Sequence, residues 1–403
     1  MVAALEGVRV LDMGRLGPSA MVSMMLADFG AEVISVTAET DPIPVAPSDD
    51  FWGFQGQMKM ILRALNRNKQ SITLNLKDAA DHATFLKLAD RSDVVIDDFR
   101  PGTADRLGVG FDVLSPRNPG LSYCALSGYG QDSAMGDQPG HDLNFIAKAG
   151  LLDLIGRSDQ PPTIPLFFLS DFAGAAMHGF SGILLALLAR HRTQRGQFID
   201  ISFSDTALTL VNPLAFHILN GGAAPRRGEL LYSGSYPHYS VYPCKDGGYV
   251  AVGCFEPWLW NKFCAAVGLP DLAQTDMTEP AARVAAREVL ETLFRTQTAA
   301  HWEAELGPQN VCVTAVHTLS EMLKSDHVRQ HQLIAQTDHP RHGTERHLAN
   351  TISLSLTPAR IHRAAPDPGR APGLGRRGRS PPPPRGFERA DPDQDPRRGR
   401  CSD

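Results

Sequence analysis

The sequence predicts an α/β protein whose chain forms two folded parts, and three observations carry that expectation. Its 403 residues are 42% hydrophobic and 21% charged, enough apolar material for a sizeable core. Strand-like and helix-like patterns alternate between Gly7 and Ser127 in the order of a doubly wound parallel layer. A Gly/Pro-rich stretch at 221–237 then breaks the pattern, and hairpin-like alternation follows it.

Gly7 to Met13 reads as a short buried strand and Pro18 to Phe29 as a helix that runs into Gly30, a residue suited to a helix C-cap. Glu32 to Val36 is the second strand. Ser71 to Leu74, Asp93 to Ile96 and Leu121 to Ser127 are further strands, with a helix at Ala79 to Ala89. Residues 166–191 are apolar and Gly/Ala-rich, which predicts a tightly packed helix, and Gln197 to Ser202 a strand. The helical stretch after it ends at Gly221-Gly222. Beyond the linker, Ser240 to Val252 has the alternation and the Asp246-Gly247-Gly248 turn of a hairpin. Helices at Trp258 to Val267 and Pro280 to Thr296 and a strand at Val311 to Val316 complete the second part.

The last forty residues, Ala364 to Asp403, hold nine of the 30 prolines and nine arginines against six acids, with Leu374 and Phe387 the only large apolar side chains. Such a segment cannot bury enough surface to offset its ordering entropy, and disorder is expected from residue 364 onward. A net charge of −5 gives no polyelectrolyte reason to bind nucleic acid. Apolar runs such as Ile183 to Ala189 fall short of the ~20 residues that cross a bilayer, so no membrane partner is expected. The N-terminus lacks a signal-peptide pattern, so a cytoplasmic address is expected, and the six scattered cysteines, without a CxxC pair, are expected to be reduced and metal-free. Neither GxGxxG after the first strand nor GxxxxGK[ST] is present, so the layer by itself indicates neither hydride nor phosphoryl chemistry.

Three ionisable residues stand where the predicted backbone would present them. His141 follows Pro139-Gly140 at a helix entrance. Asp171 begins the Ala/Gly-rich helix, where its carboxylate would face free N–H groups, and the plain structural reading is a helix N-cap. Glu256 lies past the strand Tyr249 to Gly253 and before Pro257, where it could project into a cleft or simply favour a helix start. Composition and spacing alone leave a soluble α/β enzyme of open class.

Longer motifs narrow the class. Leu5-Glu6-Gly7-Val8-Arg9-Val10-Leu11-Asp12, Leu26-Ala27-Asp28-Phe29-Gly30-Ala31-Glu32-Val33-Ile34, Asn66 to Leu76, Phe99-Arg100-Pro101-Gly102, Ser127-Gly128-Tyr129-Gly130-Gln131, Arg195 to Ser202 and Asp246 to Gly253 occur in this order. Together they resemble the family III CoA-transferase (CaiB/BaiF) superfamily, which includes the α-methylacyl-CoA racemases, over roughly residues 4–362. The resemblance implies a large doubly wound α/β domain formed by both chain ends and a smaller inserted α+β domain, in an interlocked homodimer. Its divisions would be 1–200 for the N-terminal part of the large domain, 201–237 for the linker, 238–322 for the small domain, 323–363 for the return and 364–403 for the tail.

Within that family, Gly140-His141-Asp142-Leu143-Asn144-Phe145 resembles the racemase segment that carries a catalytic histidine. Asp171 falls where racemases have their second acid/base and transferases their nucleophile. Gly253-Cys254-Phe255-Glu256-Pro257 resembles the segment that supplies the histidine's glutamate partner. The implied reaction is epimerisation of 2-methyl-branched acyl-CoA thioesters, with His141 and Asp171 on opposite faces of the reacting carbon and Glu256 steadying His141 from the other subunit. The backbone N–H of Asp142 would hold the enolate oxygen. Arg100 would meet the CoA phosphates, with Arg67 and Lys69 as further candidates. No metal or redox cofactor is expected, since CoA belongs to the substrate. A family III CoA transferase with Asp171 as nucleophile and a non-catalytic acyl-CoA-binding protein are the alternatives. Two departures stand out: Ser35 to Pro42 lacks the cation that the family usually carries there, and the Pro/Arg-rich tail stands in place of a closing helix.

Overall fold

The computed structural model describes residues 2–15, 17–38, 54–166 and 168–367. The part of the cation-poor segment past Ala38, and the tail from residue 368 with Leu374, Phe387 and Cys401, lie outside the described residues.

Six parallel strands make the main sheet: β1 (Arg9–Asp12), β2 (Glu32–Thr37), β3 (Gln70–Thr73), β4 (Val94–Asp97), β5 (Ser122–Ser127) and β6 (Phe198–Ser202). Their order across the sheet is β3-β2-β1-β4-β5-β6. The order reverses between β1 and β4, and an open α/β sheet binds ligands outside the carboxyl ends of its strands at that point. The helices along this stretch are α1 (Gly17–Asp28), α2 (Phe54–Leu65), α3 (Ala79–Ala89), α4 (Thr103–Arg106), α5 (Phe111–Leu114), α6 (Asp142–Lys148), α7 (Met177–Thr193), α8 (Phe203–Thr209) and α9 (Asn212–Leu219).

The inner strands β1, β2, β4 and β5 are apolar on both faces because both faces are covered. Val10, Val94, Ile96, Cys124 and Leu126 pack with Val22 and Leu26 of α1 and Phe180 and Ile183 of α7. Leu11, Ile34, Val95, Tyr123 and Ala125 pack on the opposite side with Phe85 and Leu114. Almost every residue of α1 is buried, as its lack of a polar stripe requires. Two of those residues are serines, and Ser23 donates to Asp12 at 2.5 Å. Gly30 takes a φ of +98° at the end of α1, a conformation that glycine adopts without strain.

A separate three-stranded antiparallel sheet joins β7 (Tyr239–Pro243), β8 (Tyr249–Gly253) and β9 (Val313–Ala315). It has its own core, in which Tyr242, Val250 and Val252 meet Trp260 and Phe263 of α10 (Pro257–Ala266), Phe294 of α11 (Pro280–Phe294) and Trp302 of α12 (Ala299–Leu306). After α13 (Leu319–Lys324) and α14 (Asp326–Gln330) come a hairpin of β10 (Ile334–His339) and β11 (Gly343–Leu348). The sequence pattern did not announce that hairpin, because its buried positions Thr337, His339 and His347 are polar.

Two expectations change. Leu169–Thr193 is a continuous helix of 25 residues, long and apolar enough to cross a membrane by length and composition. The sequence predicts a helix over 166–191, but His178 and Ser181 interrupt its apolar run and keep it from reading as long enough to span, and Gly179, Phe180, Ile183, Ala186 and Leu187 bury one face of it in the core. The second change concerns the tail, because the chain does not loosen at residue 364. Asn68 accepts from the N–H groups of His362 and Arg363, Ala364 and Ala365 are buried, and Asp367 pairs with Arg341. Two small apolar residues fit against the fold there, which composition averaged over forty residues conceals.

Candidate active site

His141 is the N-cap of α6, with extended backbone, and it is exposed. Its N–H donates to Asn144 Oδ1 at 3.1 Å. The helix start is fixed by Phe145, whose ring stacks on Phe203 at 5.1 Å and meets Tyr129 edge-on at 5.3 Å. Gly128 and Gly140 press their backbones on that ring, and a Cβ at either would lie 2.7 or 2.6 Å from it. The two glycines therefore let the β5 turn and the residue before His141 close on one aromatic side chain.

Asp171 lies in Leu169–Ala176, a π-helical turn that leads into α7. The sequence reading of Asp171 as an N-cap is corrected. Its own carboxyl accepts no hydrogen bond among the described residues, and Asp142 takes the free N–H groups instead. Asp142 Oδ1 accepts from Ser170 N–H at 2.6 Å and from Asp171 N–H at 2.9 Å. The residue after His141 is thus bonded directly to Asp171. Asp142 is 2% exposed, and its Oδ2 is buried with no hydrogen-bond partner among the described residues. Burial pushes the Asp142 carboxyl up, and the two N–H donors oppose that shift. Burial, and then the charge of Asp142, push the Asp171 carboxyl up to about 7. Such a group is present in both protonation states at neutral pH, as an acid/base catalyst requires.

The same turn touches the crevice of the main sheet. Gly17 at the start of α1 lies against Phe172, where a Cβ would come within 2.9 Å of the ring. Beside it, at the carboxyl ends of β1 and β4, Asp98 accepts from Arg15 N–H at 2.8 Å and from Ser19 Oγ at 2.7 Å. Arg100 follows in the Arg-Pro-Gly turn and is exposed.

Arg67 and Lys69 are placed differently from Arg100. Arg67 is buried and bidentate to Asp28, at 3.1 and 2.7 Å. Lys69 is fully buried, where its ammonium donates to Asp12 at 3.2 Å, to the Ala20 carbonyl at 3.0 Å and to Asn66 at 2.8 Å. Burial lowers its pKa and Asp12 opposes that. Both cations are committed to internal partners that join α1 to β1 and β3.

Glu256 is the N-cap of α10, half-buried and without a side-chain cap bond. Among the described residues no hydrogen bond or ion pair links it to His141 or Asp171 within one chain. Phe255 beside it packs on Tyr232 at 5.3 Å. Three side chains elsewhere could ligate a metal: His339, His342 and Asp367 bring ligand atoms within 4.8 Å of one another at the β10–β11 turn, remote in sequence from His141 and Asp171.

A parallel sheet whose strand order reverses between β1 and β4, and a half-buried carboxyl tied to a histidine-bearing helix start, suit acid/base or acyl-transfer chemistry. Residues 5–371 match CoA-transferase family III, and the chain belongs to that family. Human α-methylacyl-CoA racemase is 33% identical over 334 residues, 81% of each chain. The succinyl-CoA:mesaconate CoA-transferase of Haloarcula marismortui is 28% identical over 385 residues, 92% of this chain and 93% of its own. The crystal structure of a CaiB/BaiF family protein from Brucella suis superposes with a TM-score of 0.77 at 25% identity, covering 92% of this chain and 97% of the other. Relatives in the family include a racemase and CoA transferases, so membership is consistent with acyl-CoA chemistry and leaves the reaction open.

Proposed function

We propose that the protein epimerises 2-methyl-branched acyl-CoA thioesters by moving one proton from one face of C2 to the other. The supporting observation is Asp171, half-buried, raised to about 7 and bonded through its N–H to the residue that follows His141. In one direction a carboxylate at Asp171 removes the C2 proton. The electron pair of the C–H bond moves into the thioester carbonyl and forms an enolate. Protonated His141 then delivers its proton to the opposite face, and the reverse reaction exchanges the roles. The enolate oxygen would accept from the Asp142 N–H, which as the first of α6 has no intrahelical acceptor. Arg100 would hold a CoA phosphate.

Glu256 would reach His141 from a second subunit, with residues 238–322 as an inserted domain between the two parts of the large one. Large exposed apolar side chains, among them Phe216, Leu219 and Trp258, favour an extensive interface between copies. Cytoplasmic location completes the proposal.

The transferase reading uses Asp171 as a carboxylate nucleophile. A value near 7 leaves much of that group protonated at neutral pH, which suits proton transfer better than attack. His141→Gln separates the two readings. Epimerisation should fall ~10²-fold or more, whereas CoA transfer to an added acid, with epimerisation never observed in the parent protein, would overturn the proposal.

A further inference from the structure

We propose that the side chain of Asp142 is the positioning residue of this site, clamping the turn that carries Asp171 to the helix start that carries His141. The inference rests on the acid/base reading above and adds a role distinct from that of the Asp142 backbone. One carboxylate oxygen accepts from two successive N–H groups, of Ser170 and Asp171, across 28 and 29 residues of sequence. The π-helical turn begins there, so those N–H groups are among the four that no helix satisfies internally. A carboxylate makes these bonds charge-assisted. Its second oxygen is buried and unpartnered among the described residues, a cost that a purely structural cap, free to turn both oxygens to donors or water, would avoid.

The clamp also carries charge to the group it positions. The turn packs against α1, α6, α7 and α8. The charged or titratable groups on these elements are His141 at the start of α6, Asp142 and the exposed Lys148 on α6, His178 on α7, whose ring is bonded to the Gly174 carbonyl, Arg190, His191 and Arg192 at the far end of α7, and the exposed Asp205 on α8. Asp28 at the far end of α1 is paired with Arg67. Of these, Asp142 is the one whose charge raises Asp171. One side chain therefore sets both where Asp171 stands and how readily it holds a proton. A substitution can divide the two effects, because Asn keeps an Oδ1 acceptor for the clamp and removes the charge.

The test compares Asp142→Asn and Asp142→Ala with the parent full-length chain. The Asp171 carboxyl is titrated by infrared difference spectroscopy against Asp171→Asn, and kcat and KM are measured from pH 5 to 9. Asp142→Asn should shift the Asp171 midpoint downward by several tenths of a pH unit or more, with KM within about threefold of the parent. Asp142→Ala should lower kcat at least tenfold more than Asp142→Asn does. An Asp171 midpoint unchanged in Asp142→Asn, or kcat in Asp142→Ala equal to that in Asp142→Asn, would overturn the proposal. Should Asp142→Ala fail to fold, the infrared midpoint in Asp142→Asn decides alone. The infrared readout needs no turnover: a shifted midpoint in a protein that epimerises nothing would sink the functional reading and keep the clamp.

Discussion

Replacing Asp171 by Asn should make the folded protein less sensitive to rising pH. The Asp171 carboxyl is raised to about 7 by burial first and by the charge of Asp142 second, against roughly 4 in an unfolded chain. A raised carboxyl means that the folded state binds the proton more tightly. Its contribution to stability is therefore complete below about pH 4 and is lost as pH climbs through about 7. Three pH units at about 1.4 kcal/mol each give a ceiling of about 4 kcal/mol. Asp171 keeps some solvent contact and part of the loss falls below pH 5, so about 1–2 kcal/mol is expected between pH 5 and pH 8. Urea unfolding of both proteins at pH 5, 6, 7 and 8 reads this directly, and the parent should lose that much more than Asp171→Asn. Other titrating groups are common to the two proteins and cancel. Parallel pH dependences would refute the reasoning, because they would mean that Asp171 ionises in the fold as it does in an open chain.

Gly140→Ala places a methyl against the Phe145 ring; it should cost about 1–3 kcal/mol and lower kcat by displacing His141, measured by thermal unfolding and steady-state kinetics. Arg67→Ala breaks a buried ion pair and should cost about 3 kcal/mol or more. Arg100→Ala, at an exposed position, should stay within about 0.5 kcal/mol of the parent while raising KM for the CoA ester about tenfold. The reverse pattern would exchange the roles assigned to the two arginines. Ending the chain at Arg363 removes the buried Ala364 and Ala365 and the Asp367 partner of Arg341, and should lower the melting temperature by an amount equivalent to about 1–2 kcal/mol.

Much of the main sheet is written in the sequence as local pattern. The inner strands β2, β4 and β5 and the middle of β1 are short, largely apolar runs, and the helix Ala79–Ala89 begins at a capping Asp78 whose carboxyl accepts from Ala80 and Asp81 N–H. The β10–β11 hairpin was not legible, because its buried positions are filled by Thr and His that bond to each other across the strands. The same limit applies at the site. His141 was readable as a residue at a helix entrance, but Asp171 carried the pattern of an N-cap while the capping carboxylate came from Asp142, some thirty residues earlier. Only tertiary contact reveals which acid serves which N–H groups. The Asp directly after His141, at the first position of a helix, was the available signal. Arg67 and Lys69 show the converse, since no local feature separates a cation that meets a ligand from one that neutralises a buried aspartate.

The most direct measurement is the fate of the C2 hydrogen of a single epimer of a 2-methylacyl-CoA thioester incubated with the protein in deuterated water, with no acceptor acid present. Proton NMR and mass spectrometry should show one deuterium entering at C2 together with formation of the opposite epimer, and formation of the opposite epimer should vanish in His141→Gln and in Asp171→Asn. Retention of the C2 hydrogen and of configuration, with CoA moving to a carboxylic acid once one is added, would contradict two-base proton transfer and make Asp171 a nucleophile.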